Sequence, residues 1–108
     1  MIKVVVRLSA QPYYFELSGH AGAGTRGNDL VCAGISSVSQ TALIGLTDVL
    51  GLSPETTIDE DKGYLKVVLP DNLPTRQAED ARLIIATMCA GIKDFESGFP
   101  KYVNLEEN

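Results

Sequence analysis

The chain of 108 residues has one histidine, two cysteines, two methionines, no tryptophan and only 6% aromatic residues. Each scarcity closes off a class of function. A tetrahedral zinc site needs four ligands, and His20 with Cys32 and Cys89 makes at best a strained set even with Asp29 added, so no metal is expected. The glycines between residues 21 and 28 lack both the Gly-Lys-Ser/Thr ending of a phosphate-binding loop and the spacing of a dinucleotide fingerprint, so no cofactor is expected. Nine Lys and Arg stand against 14 Asp and Glu, for a net charge of −5, with no basic stripe. Direct nucleic-acid binding is therefore not expected, although a basic protein partner would suit the charge. Apolar runs last only a few residues, and Met1-Ile2-Lys3 leads straight into alternating valines without the pattern of a signal peptide. We expect a cytoplasmic protein without a membrane segment, its two thiols reduced.

What is present is ordinary for a folded chain: 44% apolar and 21% charged residues, a length suited to one domain spanning residues 1–108, and no convincing repeat. Ile2, Val4, Val6 and Leu8 alternate with Lys3, Val5 and Arg7, and Tyr13, Phe15 and Leu17 alternate with Tyr14, Glu16 and Ser18. The period of two predicts a hairpin turning at Ser9 to Pro12, whose second strand delivers Gly19 and His20. From Asp29, a good N-cap, Val31, Ile35, Val38, Ala42, Leu46 and Val49 recur at helical spacing, predicting a helix to about Leu50, ended by Gly51. Its many small residues suggest a largely buried helix, with Gly34 and Gly45 where another backbone comes close.

A second hairpin is expected over Thr56 to Leu69, with Gly63 supplying a left-handed turn, followed by a helix from the region of Pro74 with Ala78, Ala81, Ile85, Met88, Cys89, Ile92 and Phe95 as its apolar stripe. Tyr102 to Leu105 has the composition of a short edge strand. The order ββαββα predicts an α+β two-layer sandwich, an antiparallel sheet from two hairpins with both helices on one face.

Chemistry concentrates between residues 18 and 37. His20 is the only imidazole, suited by its ordinary pKa near neutrality to act as a general base. With Asp29 as cap, Cys32 falls in the first turn of a helix, where unpaired N–H groups and the dipole favour thiolate and offer donors for an oxyanion, Ala33 among them. The plainer readings are a core cysteine and a surface histidine at a strand end. Asp29 reads chiefly as the cap, Ser36 as a supporting hydroxyl or a packed small residue, and Cys89 as core. The loop holding Gly22, Gly24, Arg26 and Gly27 reads as a surface lid.

Gly19-His20-Ala21, a glycine-rich loop, and Asp29-Leu30-Val31-Cys32-Ala33-Gly34-Ile35-Ser36 together resemble the signature of the bacterial ribosomal-processing cysteine proteases, with the family's spacing of 12 between histidine and cysteine. Leu30 stands where isoleucine is more usual. The resemblance covers essentially the whole chain. It implies a cytoplasmic, homodimeric endopeptidase that removes the N-terminal extension of the twenty-seventh large-subunit ribosomal protein, with Cys32 as nucleophile, His20 as base and a loop that rearranges around the peptide. A non-catalytic ribosome-associated binding module, or a thiol hydrolase or acyltransferase acting on a small substrate, would carry many of the same features.

Overall fold

The computed structural model describes residues 1–19 and 26–108, and over 26–29 the backbone alone. In β1 (Ile2–Arg7) and β2 (Tyr14–Ser18) the alternating residues Ile2, Val4, Val6, Phe15 and Leu17 are buried, as a strand with one inward face requires. The two strands pair antiparallel, Val4 opposite Leu17 and Val6 opposite Phe15. Gln11 ties the intervening turn to Leu73, in the segment that precedes the last helix. Its side-chain Oε1 accepts the Leu73 N–H at 2.7 Å and its side-chain Nε2 donates back to the Leu73 carbonyl.

Helix α1 (Arg26–Ile44) begins three residues before the expected boundary, so Asp29 lies within the helix rather than at its cap. An aspartate is as favourable in the first turn as at the cap, because both positions face the positive end of the dipole, and the sequence signal does not separate them. Val31, Ile35, Ala42 and Leu46 form the buried stripe. The α-helix gives way to a π-helical turn, Gly45–Val49, in which the Leu50 N–H bonds to the Gly45 carbonyl at 3.0 Å. The extra residue in that turn rotates the end of the helix, and Val49, expected on the stripe, is 75% exposed. Gly51 terminates the segment with a φ of 68°.

The helix is buried on one face only; Ala33, Ser36, Ser37, Gln40 and Thr41 are exposed. Length and composition alone would let Leu30–Val49 cross a membrane, a property shared with core helices such as this one, whose stripe is packed inside the protein. The close approach expected at its glycines is real but made by side chains: the Phe95 ring lies against Gly34, and Ile84 Cδ1 would be 3.3 Å from a Cβ at Gly45.

Strands β3 (Glu55–Asp59) and β4 (Tyr64–Val68) form the second hairpin, closed by Gly63 at a φ of 60°. Helix α2 (Thr75–Gly98) follows Pro74 and buries the predicted residues Ala78, Ala81, Ile85, Met88, Cys89 and Ile92. The last strand, β5 (Val103–Glu107), pairs with β1 in parallel, Ile2 opposite Val103 and Val6 opposite Glu107. The five-stranded sheet, ordered β3-β4-β2-β1-β5, is thus mixed rather than wholly antiparallel. A helical crossover is what parallel pairing requires, and α2 supplies it by carrying the chain from β4 to the β1 edge. One core joins the inward face of the sheet to the buried stripes of both helices, the expected α+β sandwich.

Candidate active site

Ile58, Leu65, Leu17 and Val4 form a cross-strand row running from β3 to β1. Val4 is wholly covered and Leu17 nearly so, whereas Ile58 is 61% exposed. The helical layer therefore stops short of the β3 edge and leaves an apolar shelf. Above it stands α1, and between them lies a cleft of about 620 Å³. Ile2, Leu17, Ile58 and Leu65 line its sheet side, and Cys32, Ile35, Ser36, Ser39, Leu43 and Ile44 its helix side. The helix-side residues follow a 3–4 spacing, so a single face of α1 is turned to the cleft.

Cys32 is half-buried in that wall, and neither cysteine is in a disulfide. Two residues further along α1, the Phe95 ring against Gly34 fixes the helix about its own axis and with it the direction of Cys32. Ser36, on the next turn, lines the same cleft and accepts the Gln40 side-chain amide at 3.0 Å. Ser39 is fully buried there and donates to the Ile35 carbonyl at 2.8 Å, so its hydroxyl is satisfied. Tyr64, at the hairpin side, donates its hydroxyl to Glu16 Oε2 at 2.6 Å, and that hydrogen bond, followed by burial and the carboxylate charge, raises its pKa. Tyr13 and Tyr14 are not part of the cleft: Tyr13 packs on the core and Tyr14 lies under Lys66 Nζ, 5.8 Å from its ring centre.

Gly19 completes the site at the end of β2. It adopts a φ of 89° and lines the cleft, and a Cβ there would be 2.6 Å from the Met1 carbonyl oxygen. Only glycine fits this turn. The strand that carries His20 as its next residue thus runs to the cleft that Cys32 lines. His20, Gly22 and Gly24 lie outside the described residues, while Arg26 and Gly27 contribute backbone to the first turn of α1.

The early start of α1 revises one expectation about the chemistry. Cys32 is the seventh helical residue and Ala33 the eighth, beyond the first turn in which N–H groups are unpaired. In this helix their amides are committed to the carbonyls four residues back, so the oxyanion role assigned to Ala33 and the helix-start activation of Cys32 are not supported, and Asp29 is no cap. Among the described residues, no three His, Cys, Asp or Glu side chains converge as a metal set.

Cys89 is buried on α2, as expected, but it is not merely apolar filling. Its thiol donates to Glu107 Oε1 at 2.9 Å while Lys93 Nζ holds Glu107 Oε2 at 3.0 Å. Burial, then the bond to Glu107, pushes the Cys89 thiol up to about 12. The same bond, then that of Lys93, lowers the Glu107 carboxyl. The sequence offered no signal for this contact, because Glu107 reads as part of a charged tail.

A half-buried thiol in the wall of an open apolar cleft, to which the end of β2 also runs, is a layout that suits a cysteine peptidase. The chain matches the family described as cysteine protease Prp over residues 1–104, and it belongs to that family. It is 30% identical to the ribosomal processing cysteine protease Prp of Bacillus subtilis over 110 residues, covering 100% of this chain and 98% of the relative, and 32% identical over 92 residues to that of Staphylococcus aureus, covering 82% and 80%. A crystal structure of a Streptococcus mutans protein superposes with a TM-score of 0.85 at 28% identity, over 99% of this chain and 93% of the other. The Staphylococcus aureus protease solved with a substrate peptide shares the fold throughout, with a TM-score of 0.83 at 22% identity and all of both chains covered. The chain is a cysteine protease with an α+β fold.

Proposed function

We propose that this protease removes the N-terminal extension of the twenty-seventh large-subunit ribosomal protein in the cytoplasm, as a homodimer, using Cys32 and His20. The observation that carries the reading is the position of Cys32 in the wall of an apolar cleft reached by the strand end at Gly19. Relatives at about one third identity are named for ribosomal processing, and the Staphylococcus aureus protease has been crystallised both with a substrate peptide and with a covalently linked product peptide.

In the proposed reaction His20 accepts the Cys32 proton and the sulfur attacks the scissile carbonyl carbon. The C–N bond then breaks, the imidazolium returns its proton to the leaving amine, and a thioester remains on Cys32. Water, giving its proton to His20, displaces the sulfur and releases the extension as a carboxylate. An apolar cleft favours this sequence because it excludes bulk water while the peptide is seated and so strengthens the thiolate–imidazolium pair.

Mass spectrometry of the precursor after incubation with enzyme tests the proposal directly. Cys32→Ala and His20→Ala are expected to leave the precursor intact while the wild type removes the extension. Cleavage by either variant at the wild-type rate would refute the dyad, and an uncut precursor with the wild type would refute the substrate.

A further inference from the structure

Among the described residues the cleft has one charged side chain in its walls, Glu60, at the turn of the β3–β4 hairpin. The backbone of that turn is held from within: the Gly63 N–H bonds to the Glu60 carbonyl at 3.2 Å and the Lys62 N–H to the Asp59 carboxylate at 3.3 Å. No hydrogen bond or ion pair holds the Glu60 carboxylate itself among the described residues. It stands exposed beside Ile58 on the apolar shelf, between Asp59 and Asp61 in sequence, on a chain of net charge −5. Such a site is an apolar seat with an anionic rim. The complementary ligand is an extended peptide with an apolar side chain for the shelf and a cation for the carboxylate.

The length of the wall limits where that cation lies. Cys32 and Ile44, at its ends, are 12 residues apart on one helix, or roughly 18 Å at the helical rise. An extended peptide covers that distance in about five residues. We infer that Glu60 is a specificity-determining residue, selecting substrates with a lysine or arginine within about five residues of the scissile bond, next to an apolar residue seated on Ile58 and Leu65. The inference rests on the reading of Cys32 as the nucleophile of this cleft. Because the carboxylate is at an exposed rim, its selectivity is modest and falls with salt.

The test uses the full chain and a series of peptides spanning the cleaved bond, uncharged except for one lysine moved through the five positions on each side. Peptides with norleucine at the same place are the controls. The ratio of kcat/KM for lysine over norleucine is expected to reach about fivefold at one or two positions in low salt and to shrink at about 0.5 M salt. Glu60→Gln is expected to bring the ratio to about one, and Glu60→Lys to invert it and favour a glutamate peptide. A ratio of one everywhere for the wild type, or an unchanged ratio in Glu60→Gln, would overturn the inference. Cleavage without lysine preference sinks the role of Glu60 and leaves the proteolytic reading intact. If no peptide is cut, fluorescence anisotropy with Cys32→Ala gives the same comparison as binding: a lysine preference there supports Glu60 and sinks the substrate reading, and its absence sinks Glu60 as well.

Discussion

A methyl group at Gly34 would overlap the ring of Phe95, which α2 presses against α1 two residues beyond Cys32. Helix propensity alone would make alanine better than glycine here by about 1 kcal/mol. Overpacking a tight contact costs about 1–3 kcal/mol, and the overlap is with a ring wedged between helices. We expect Gly34→Ala to destabilise the protein by up to about 2 kcal/mol in urea unfolding and to lower kcat/KM, because the displaced helix carries Cys32 with it. The double variant with Phe95→Leu should recover part of the loss, a coupling that a purely local propensity effect would not show.

The Cys89–Glu107 bond gives the two cysteines opposite reactivities. Cys89 is buried and its thiol is pushed up to about 12, while Cys32 is half-buried in an open cleft. Iodoacetamide at about neutral pH should modify Cys32 in the native protein and Cys89 only after unfolding, read as one and then two added groups by mass spectrometry. Rapid native labelling of Cys89 would contradict the packing of β5 on α2.

The same bond sets the pH dependence of stability. An unfolded cysteine loses its proton near pH 8.5, whereas folded Cys89 keeps its proton to about 12, so between those values the unfolded chain binds fewer protons and stability falls as pH rises. Glu107 acts in the acid range: its lowered carboxyl stabilises the fold above the ordinary glutamate pKa, and that contribution is lost as pH falls through the lower folded value. Thermal unfolding from about pH 2 to about 10.5 should show both limbs. Cys89→Ala should flatten the alkaline one most.

Gly19 joins the strand to the residue proposed as base. Replacing it with alanine places a Cβ 2.6 Å from the Met1 carbonyl on a backbone with φ at 89°. The expected cost is about 1–3 kcal/mol. Because any relaxation moves the residue that leads into His20, kcat/KM for the precursor should fall at least tenfold at temperatures where the variant remains folded by circular dichroism.

The elements legible in the sequence were those with clean periodicity. Val4, Val6, Phe15 and Leu17 alternate, and Ala81, Ile85, Met88 and Ile92 repeat at helical spacing, and all are buried. Other features were not legible, for identifiable reasons. The start of α1 cannot be read from Asp29, because an aspartate is favourable both in a first turn and at a cap. The outward turn of Val49 depends on one extra residue in a π-helical turn, which leaves the sequence pattern apolar while rotating it off the core. Parallel pairing of β5 with β1, and the hold of Cys89 on Glu107, are contacts between distant segments that no local pattern encodes. The same applies to the cleft. Cys32 is marked as a candidate by its neighbours in sequence, but the sheet side of its cleft comes from β1 to β4 and exists only once the strand order places Ile58 and Leu65 beside α1.

Ile58 separates function from stability most cleanly. Its side chain is 61% exposed on the edge strand β3, so replacing it by asparagine removes little buried surface. The expected change in unfolding free energy is about 0.5 kcal/mol or less, as for surface substitutions away from the core. If the shelf seats an apolar residue of the substrate, the loss of that contact removes about 1–2 kcal/mol of binding. KM for the precursor should then rise about fivefold to thirtyfold with a smaller change in kcat, since the interaction is made equally in the ground and transition states. Leu17→Asn, by contrast, should fail in both respects, because that side chain is 6% exposed and belongs to the core beneath the same row. An Ile58→Asn enzyme with the wild-type KM would show that the peptide does not lie on this shelf.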